Sequence, residues 1–319
     1  MLKIENLKKA YGKHPALDGL NLTIKTGALF GFVGPNGAGK TTTIKILAGL
    51  MRPDSGTVII NGVDAGREYR KLKGLVGYVP DSFGVYDNLK VWEYMEFFAS
   101  CYGLDGLMAR RRCMALLEQA GLGDRADFFV DALSRGMQQR LCLARALIHD
   151  PAILVMDEPS SGLDPRSRTE FKELVQELNE QGKTILISSH VLSELAQMCT
   201  DIGVIEQGRM VMEGSMKEIM ERVDHSNPLL ITVRSDMDRA MAILRSHSCV
   251  RTISIKNDCI SISFTGDSQD EAQLLQQLVD AEVQVTSFYR QQGNLESLFM
   301  EITDHEDKEV LLYEGKPDL

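Results

Sequence analysis

Hydrophobic and polar positions alternate with a period of two at the start of the chain and later settle into helical spacing. Residues 2–7 and 16–24 alternate as short strands around the turn-rich Tyr11-Gly12-Lys13-His14-Pro15. An apolar run at 28–33 leads into a glycine-rich loop and a helical stretch at 40–50. Strands are predicted at 56–60, 75–79, 153–156 and 184–188, and helical periodicity covers 91–119, 141–148 and 166–180. Residues 201–206 and 209–213, joined by Gln207-Gly208, are expected to pair as a hairpin.

Beyond residue 223 the pattern restarts. A polar, proline-ended stretch, Asp224-His225-Ser226-Asn227-Pro228, precedes a strand at 229–234, a helix at 236–246 and strands at 251–256 and 259–264. A helix at 268–281 and a strand at 283–290 follow, and Asn257-Asp258 fits a tight turn between the two middle strands. This is the split βαβ, ferredoxin-like order. At 319 residues the chain has room for one large or two modest domains.

Composition narrows the classes. With 44% apolar and 25% charged residues the chain reads as an ordinary globular protein. Lys and Arg number 35 against 45 Asp and Glu, a net −10, which disfavours a basic nucleic-acid binder. Residues 301–319 hold seven acids and two bases and read as a solvated acidic tail. Six cysteines without a CxxC pair fit reduced thiols in a cytosolic compartment. No signal-peptide pattern opens the chain, and no apolar run approaches the ~20 residues that span a bilayer.

Gly34-Pro35-Asn36-Gly37-Ala38-Gly39-Lys40-Thr41 matches the GxxxxGK[ST] phosphate loop in full, between a predicted strand and helix. Phosphate needs backbone N–H groups aimed at it, and glycine lets the chain wrap closely enough to supply them. The following helix adds its positive N-terminal dipole. Lys40 would reach the β- and γ-phosphates, and the Thr41 hydroxyl would ligate magnesium. An apolar strand then ends in Asp157-Glu158-Pro159. Two acids there are costly unless they serve something at the sheet's carboxyl edge. Asp157 suits magnesium, and Glu158 suits polarisation of an attacking water.

A third segment, Leu133-Ser134-Arg135-Gly136-Met137-Gln138-Gln139-Arg140, precedes the helix predicted at 141–148. From here the chain resembles the ATP-binding cassette (ABC) family over residues 1 to about 220. The markers run in order: phosphate loop, LSGGQ-like signature, acidic strand, Ser161-Gly162-Leu163-Asp164 as D-loop, and His190 as switch histidine. The resemblance implies an α/β fold: a phosphate-loop ATPase core with an antiparallel β subdomain and a helical signature subdomain, then a small α+β ferredoxin-like domain. The expected divisions are a nucleotide-binding domain at 1–223 (helical subdomain about 85–150), a linker at 224–227, an accessory domain at 228–303 and the tail at 304–319.

The resemblance also implies roles. Tyr11 would stack on adenine, and Gly34 to Thr42, including Thr41 and Thr42, would hold the phosphates of ATP. Ser134 and Gly136 would meet the γ-phosphate of nucleotide held by another protomer, and Asp164 would couple the two sites. His190 would hold the γ-phosphate and attacking water, beside Glu158 and Lys40. Two departures stand out. Arg135 and Met137 replace glycine and glutamine in the signature, and Arg135 would add a cation beside the triphosphate. Asp81 stands where the family has glutamine; it can accept from a magnesium-bound water but cannot donate, so a plain turn residue remains open there.

Phe83, Tyr86, Trp92, Tyr94, Phe97, Phe98 and Tyr102 are seven of the chain's twenty aromatics. In the family, permease coupling helices dock in this region, and about four of the rings are expected to point inward. The implied protein is the ATP-hydrolysing subunit of a transporter, exporting through a separately encoded integral-membrane permease. It would be cytoplasmic and peripheral at the inner face of the membrane. It would pair with a second copy of itself or a paralogous cassette, with ATP and Mg2+ and no nucleic acid. The alternatives are a non-transport cassette of translation or DNA repair, or a regulatory one. The 92 residues between Thr41 and Ser134 leave no room for a repair-type coiled coil. Both Glu158 and His190, needed for turnover, are present.

Overall fold

The computed structural model describes residues 1–82, 84, 88–219, 228–256 and 259–290. The chain divides into two compact units, Met1–Met216 and Lys217–Leu319. Elements are numbered in chain order.

In the first unit, β1 (Leu2–Tyr11) and β2 (His14–Ile24) form a hairpin. With β4 (Ser55–Ile60) and β5 (Val63–Asp64) they make an antiparallel sheet in the order β2-β1-β4-β5. Alternation places Leu2, Ile4, Leu20 and Leu22 in the core. The second sheet runs β10-β9-β3-β8-β7-β6. Its strands are β3 (Leu29–Val33), β6 (Val76–Val79), β7 (Ile153–Met156), β8 (Thr184–Ser189), β9 (Asp201–Glu206) and β10 (Arg209–Ser215). All neighbours are parallel except β9 and β10, the expected hairpin. Every residue of β3, β7 and β8 is buried, as expected of parallel strands covered on both faces. The carboxyl ends of these three central strands therefore lie side by side, and the segments leaving them carry the candidate chemistry.

The helices correct two expectations. The stretch at 91–119 is two helices, α3 (Val91–Cys101) and α4 (Gly106–Gln119), after α1 (Lys40–Leu47) and α2 (Tyr69–Leu75). Gly103, at φ 74°, turns the chain between them in a region that costs other residues energy. Next, α5 (Arg135–Ala146) begins well before residue 141. Ser134 is its N-cap, its hydroxyl accepting from Met137 N–H at 3.3 Å, so most of the signature is helical. Two more helices, α6 (Pro165–Glu180) and α7 (Leu192–Ala196), complete the unit. Of the clustered aromatics, Phe83 and Tyr86 lie outside the described residues. Tyr94 is fully buried, Trp92 and Phe98 are half-buried, and Phe97 and Tyr102 are exposed.

The second unit has four antiparallel strands, β11 (Leu229–Val233), β12 (Val250–Lys256), β13 (Cys259–Phe264) and β14 (Val285–Arg290), in the order β12-β13-β11-β14. Helices Met237–Ser246 and Ser268–Asp280 complete the ferredoxin-like pattern. Leu229, Ile231, Ile260, Ile262 and Leu274 are among its core residues, all fully buried. The expected linker at 224–227, the turn at Asn257-Asp258 and the tail lie outside the described residues.

Candidate functional site

The loop leaving β3 closes on α1, and sterics explain two of its glycines. A Cβ on Gly34 would come within 2.3 Å of the Ile205 carbonyl oxygen. One on Gly39, at φ 110°, would meet the Ala16 oxygen at 2.6 Å. Lys40 at the start of α1 is 5% exposed. Its ammonium donates to the carbonyls of Gly34 at 2.6 Å and Pro35 at 3.2 Å, and lies 3.4 Å from Glu158 Oε1.

Leaving β7, Asp157 is buried and Glu158 adopts φ 44°. Asp157 Oδ1 accepts from the Thr41 hydroxyl at 3.2 Å and the Ser188 hydroxyl at 2.9 Å. Burial pushes the Asp157 carboxyl above the usual carboxylate range, the two hydroxyls pull it back, and the charges of Asp81 and Glu158 push it further up. Among the described residues it has no ion-pair partner. Glu158 Oε2 lies 3.0 Å from His190 Nδ1 at the end of β8. One cluster thus gathers Lys40, Thr41, Asp157, Glu158 and His190 from three strand ends. Along its side runs a cleft of about 280 Å³, lined by Glu158, Ser161, Arg168, His190 and Glu194.

The remaining candidates lie elsewhere. Tyr11, at the end of β1, is half exposed and its hydroxyl donates to Met51 Sδ at 3.2 Å. Asp81 is exposed, its carboxylate accepting from Ser82 N–H at 2.7 Å. Ser134, Gly136 and Asp164 form a second group. Asp164 caps α6, accepting from the N–H groups of Arg166 and Ser167 at 3.1 and 3.0 Å. The Ser167 hydrogen bonds hold its carboxyl below the usual range. Gly136 packs so tightly on the same helix that an added Cβ would lie 2.4 Å from Ser167 Oγ. The Arg135 guanidinium, expected beside a phosphate, donates to the Ser161 carbonyl at 2.9 Å within its own chain. Signature and D-loop are therefore joined in one protomer. Gly136→Ala should cost about 1–3 kcal/mol by overpacking. Urea denaturation should show this loss, and Ser167→Gly in the same chain should recover part of it.

Sequence reasoning missed Ser188, which touches both acids. Its signal is weak: a serine inside an apolar strand, 31 residues from Asp157.

Comparison with known proteins follows the same outline. The ABC transporter family model matches residues 17–161. The linearmycin resistance ATP-binding protein LnrL of Bacillus subtilis (strain 168) is 35% identical over 305 residues, 95% of this chain and 98% of its own. The Nod factor export ATP-binding protein I of Ralstonia nicotianae is 40% identical over 220 residues, covering 69% and 68% of the two chains. Among solved structures, a dimeric post-hydrolysis ATP-binding cassette bound to ADP and Pi superposes with a TM-score of 0.62. It shares 29% identity and covers 68% of this chain and 99% of its own.

Proposed function

Because the chain belongs to the ABC transporter family, as one of its ATP-binding and ATP-hydrolysing subunits, we propose how its residues divide the reaction. The carrying observation is Glu158, whose carboxylate lies 3.4 Å from Lys40 Nζ and 3.0 Å from His190 Nδ1. The backbone from Gly34 through Pro35, Asn36, Gly37, Ala38 and Gly39 to Thr42 wraps the phosphates, with Tyr11 against the adenine. Lys40 exchanges its loop carbonyls for β- and γ-phosphate oxygens. Thr41 and Asp157 fit a magnesium ion, a hydroxyl and a buried carboxylate being oxygen donors suited to it, and Asp81 would act on it through a bound water. When bound, that ion would neutralise charge developing on the phosphates. Glu158 accepts the proton of the attacking water as its oxygen bonds to the γ-phosphorus and the bond to the bridging oxygen of ADP breaks. His190 orients Glu158 and stabilises the γ-phosphate.

Ser134, Gly136 and Asp164 have no hydrogen bond or ion pair to the phosphate loop among the described residues, which supports a role on nucleotide held by a second copy. Mixing Lys40→Ala with Ser134→Ala tests this shared site. Random pairing should restore about a quarter of wild-type ATPase through heterodimers with one intact site. No heterodimers by native mass spectrometry with ATP would remove the shared-site reading.

The substrate-moving step belongs to a separately encoded permease, in our reading, and the direction is export. The names of the relatives, one for Nod factor export and one for linearmycin resistance, support it. Among the described residues no helix is long and apolar enough to cross a membrane. The docking face we assign is the α3 region. There a cleft of about 280 Å³ is lined by Lys73, Tyr78, Phe98, Tyr102 and Arg145, with Phe97 exposed nearby on α3. Aromatic and cationic walls suit a partner helix. Docked there, the subunit would lie at the inner face of the membrane.

A further inference from the structure

Ser188 occupies a place that none of these roles explains. The register Met156↔Ile187 between β7 and β8 sets it level with Asp157, while Phe32↔Ser188 sets it beside the strand feeding the phosphate loop. The residue is 1% exposed. Its hydroxyl donates to Asp157 Oδ1 at 2.9 Å and accepts the Glu158 N–H at 3.0 Å. A serine hydroxyl has one proton and two lone pairs, so it can do both at once. One side chain thus grips the carboxylate of the first acid and the backbone of the second.

The backbone it grips is unusual. Glu158 has φ 44°, in the left-handed region that residues other than glycine enter only under constraint. The neighbouring groups are already engaged. Asp157 N–H donates to Val79 O at 2.9 Å, and Glu158 C=O accepts from Ser161 N–H at 3.0 Å. The Glu158 N–H is held by a side chain, that of Ser188. Strained conformations of this kind last when their surroundings over-determine them. With this backbone the Glu158 carboxylate lies 3.4 Å from Lys40 Nζ and 3.0 Å from His190 Nδ1.

We propose that Ser188 is a positioning residue for ATP hydrolysis. It locks the Asp157–Glu158 peptide in the left-handed turn that aims Glu158, and it acts through Glu158 without touching nucleotide. The inference rests on Glu158 being the proton acceptor.

The test uses the full chain with Ser188→Ala, Ser188→Thr and Ser188→Cys. It measures kcat and KM for ATP with magnesium, affinity for a fluorescent ATP analogue in EDTA, and the thermal midpoint. Ser188→Ala should lower kcat about tenfold while KM and analogue affinity stay within about twofold, the signature of a lost transition-state interaction. Ser188→Thr keeps donor and acceptor and should stay within about threefold of wild type. In a Glu158→Gln background, Ser188→Ala should change the residual rate by less than about twofold, since the two residues act as a unit. An equal loss in both backgrounds would overturn the proposal. So would a KM effect at unchanged kcat, or Thr as slow as Ala. If Ser188→Ala does not fold, Thr against Cys decides: wild-type-like Thr with slow Cys supports the idea, and equal rates end it. A Glu158→Gln protein at wild-type rate would remove the reading of Glu158, and this inference with it. A collapsed Glu158→Gln beside an unaffected Ser188→Ala would remove this inference alone.

Discussion

Glu158→Gln should bind ATP as well as the wild type and hydrolyse it about 10²–10⁴-fold more slowly, the range a general base contributes. The substitution keeps the side chain's size and its reach toward His190 Nδ1, 3.0 Å away. What it removes is the ability to take a proton from water. It also removes the negative charge 3.4 Å from Lys40 Nζ, leaving the ammonium free to turn to phosphate, so affinity should not fall. With binding intact and the exit blocked, the variant should accumulate as an ATP-bound dimer on size exclusion. Phosphate release measured beside equilibrium binding gives the result directly. Wild-type turnover would contradict the assignment of Glu158.

The residues that carry this prediction were legible because each announces itself locally. The loop from Gly34 to Thr41 is written in glycine and lysine at fixed spacing, and Asp157-Glu158 interrupts an apolar run. Their convergence is a consequence of the parallel order β3-β8-β7, which places three strand ends together. Less was legible where one residue type serves two readings. In the sequence the helical pattern is predicted only from 141, beyond Gly136. In the structure Gly136 is inside the helix because its missing Cβ lets α5 lie against Ser167 on α6. Val91 to Gln119 keeps helical periodicity on both sides of Gly103, and the positive φ at Gly103 and Gly106 marks the break. Arg135 illustrates the limit of arguing from charge alone. A cation in the signature invites a phosphate, and the sequence does not show that its guanidinium also reaches a carbonyl of its own D-loop. Ser188 was barely legible, a lone serine in an apolar strand, since its meaning depends on a strand register and on a backbone angle at Glu158.

Lys40→Ala should abolish the thermal stabilisation that ATP gives the wild-type chain. A ligand at about a hundred times its Kd adds about 2.7 kcal/mol to a protein that binds it only when folded. For a unit of roughly two hundred residues each kcal/mol is worth about 2–4 °C, so the wild-type midpoint should rise by about 5–10 °C. Lys40 donates to the carbonyls of Gly34 and Pro35, which holds the ammonium inside the loop where phosphate oxygens would arrive. Removing it leaves those phosphate charges without their strongest partner. Truncating one member of a buried charge pair costs about 2–5 kcal/mol, so affinity should fall by about thirtyfold to a few thousandfold. The nucleotide-free variant should remain folded, because Glu158 keeps His190 and the loop keeps its backbone bonds, including Gly208 N–H to Ala38 O at 2.9 Å. A melting series against ATP concentration separates the two outcomes. A flat midpoint for Lys40→Ala beside a rising wild type is the expected result. A parallel rise in both would mean that the backbone of the loop and the α1 N-terminus hold the phosphates without the lysine.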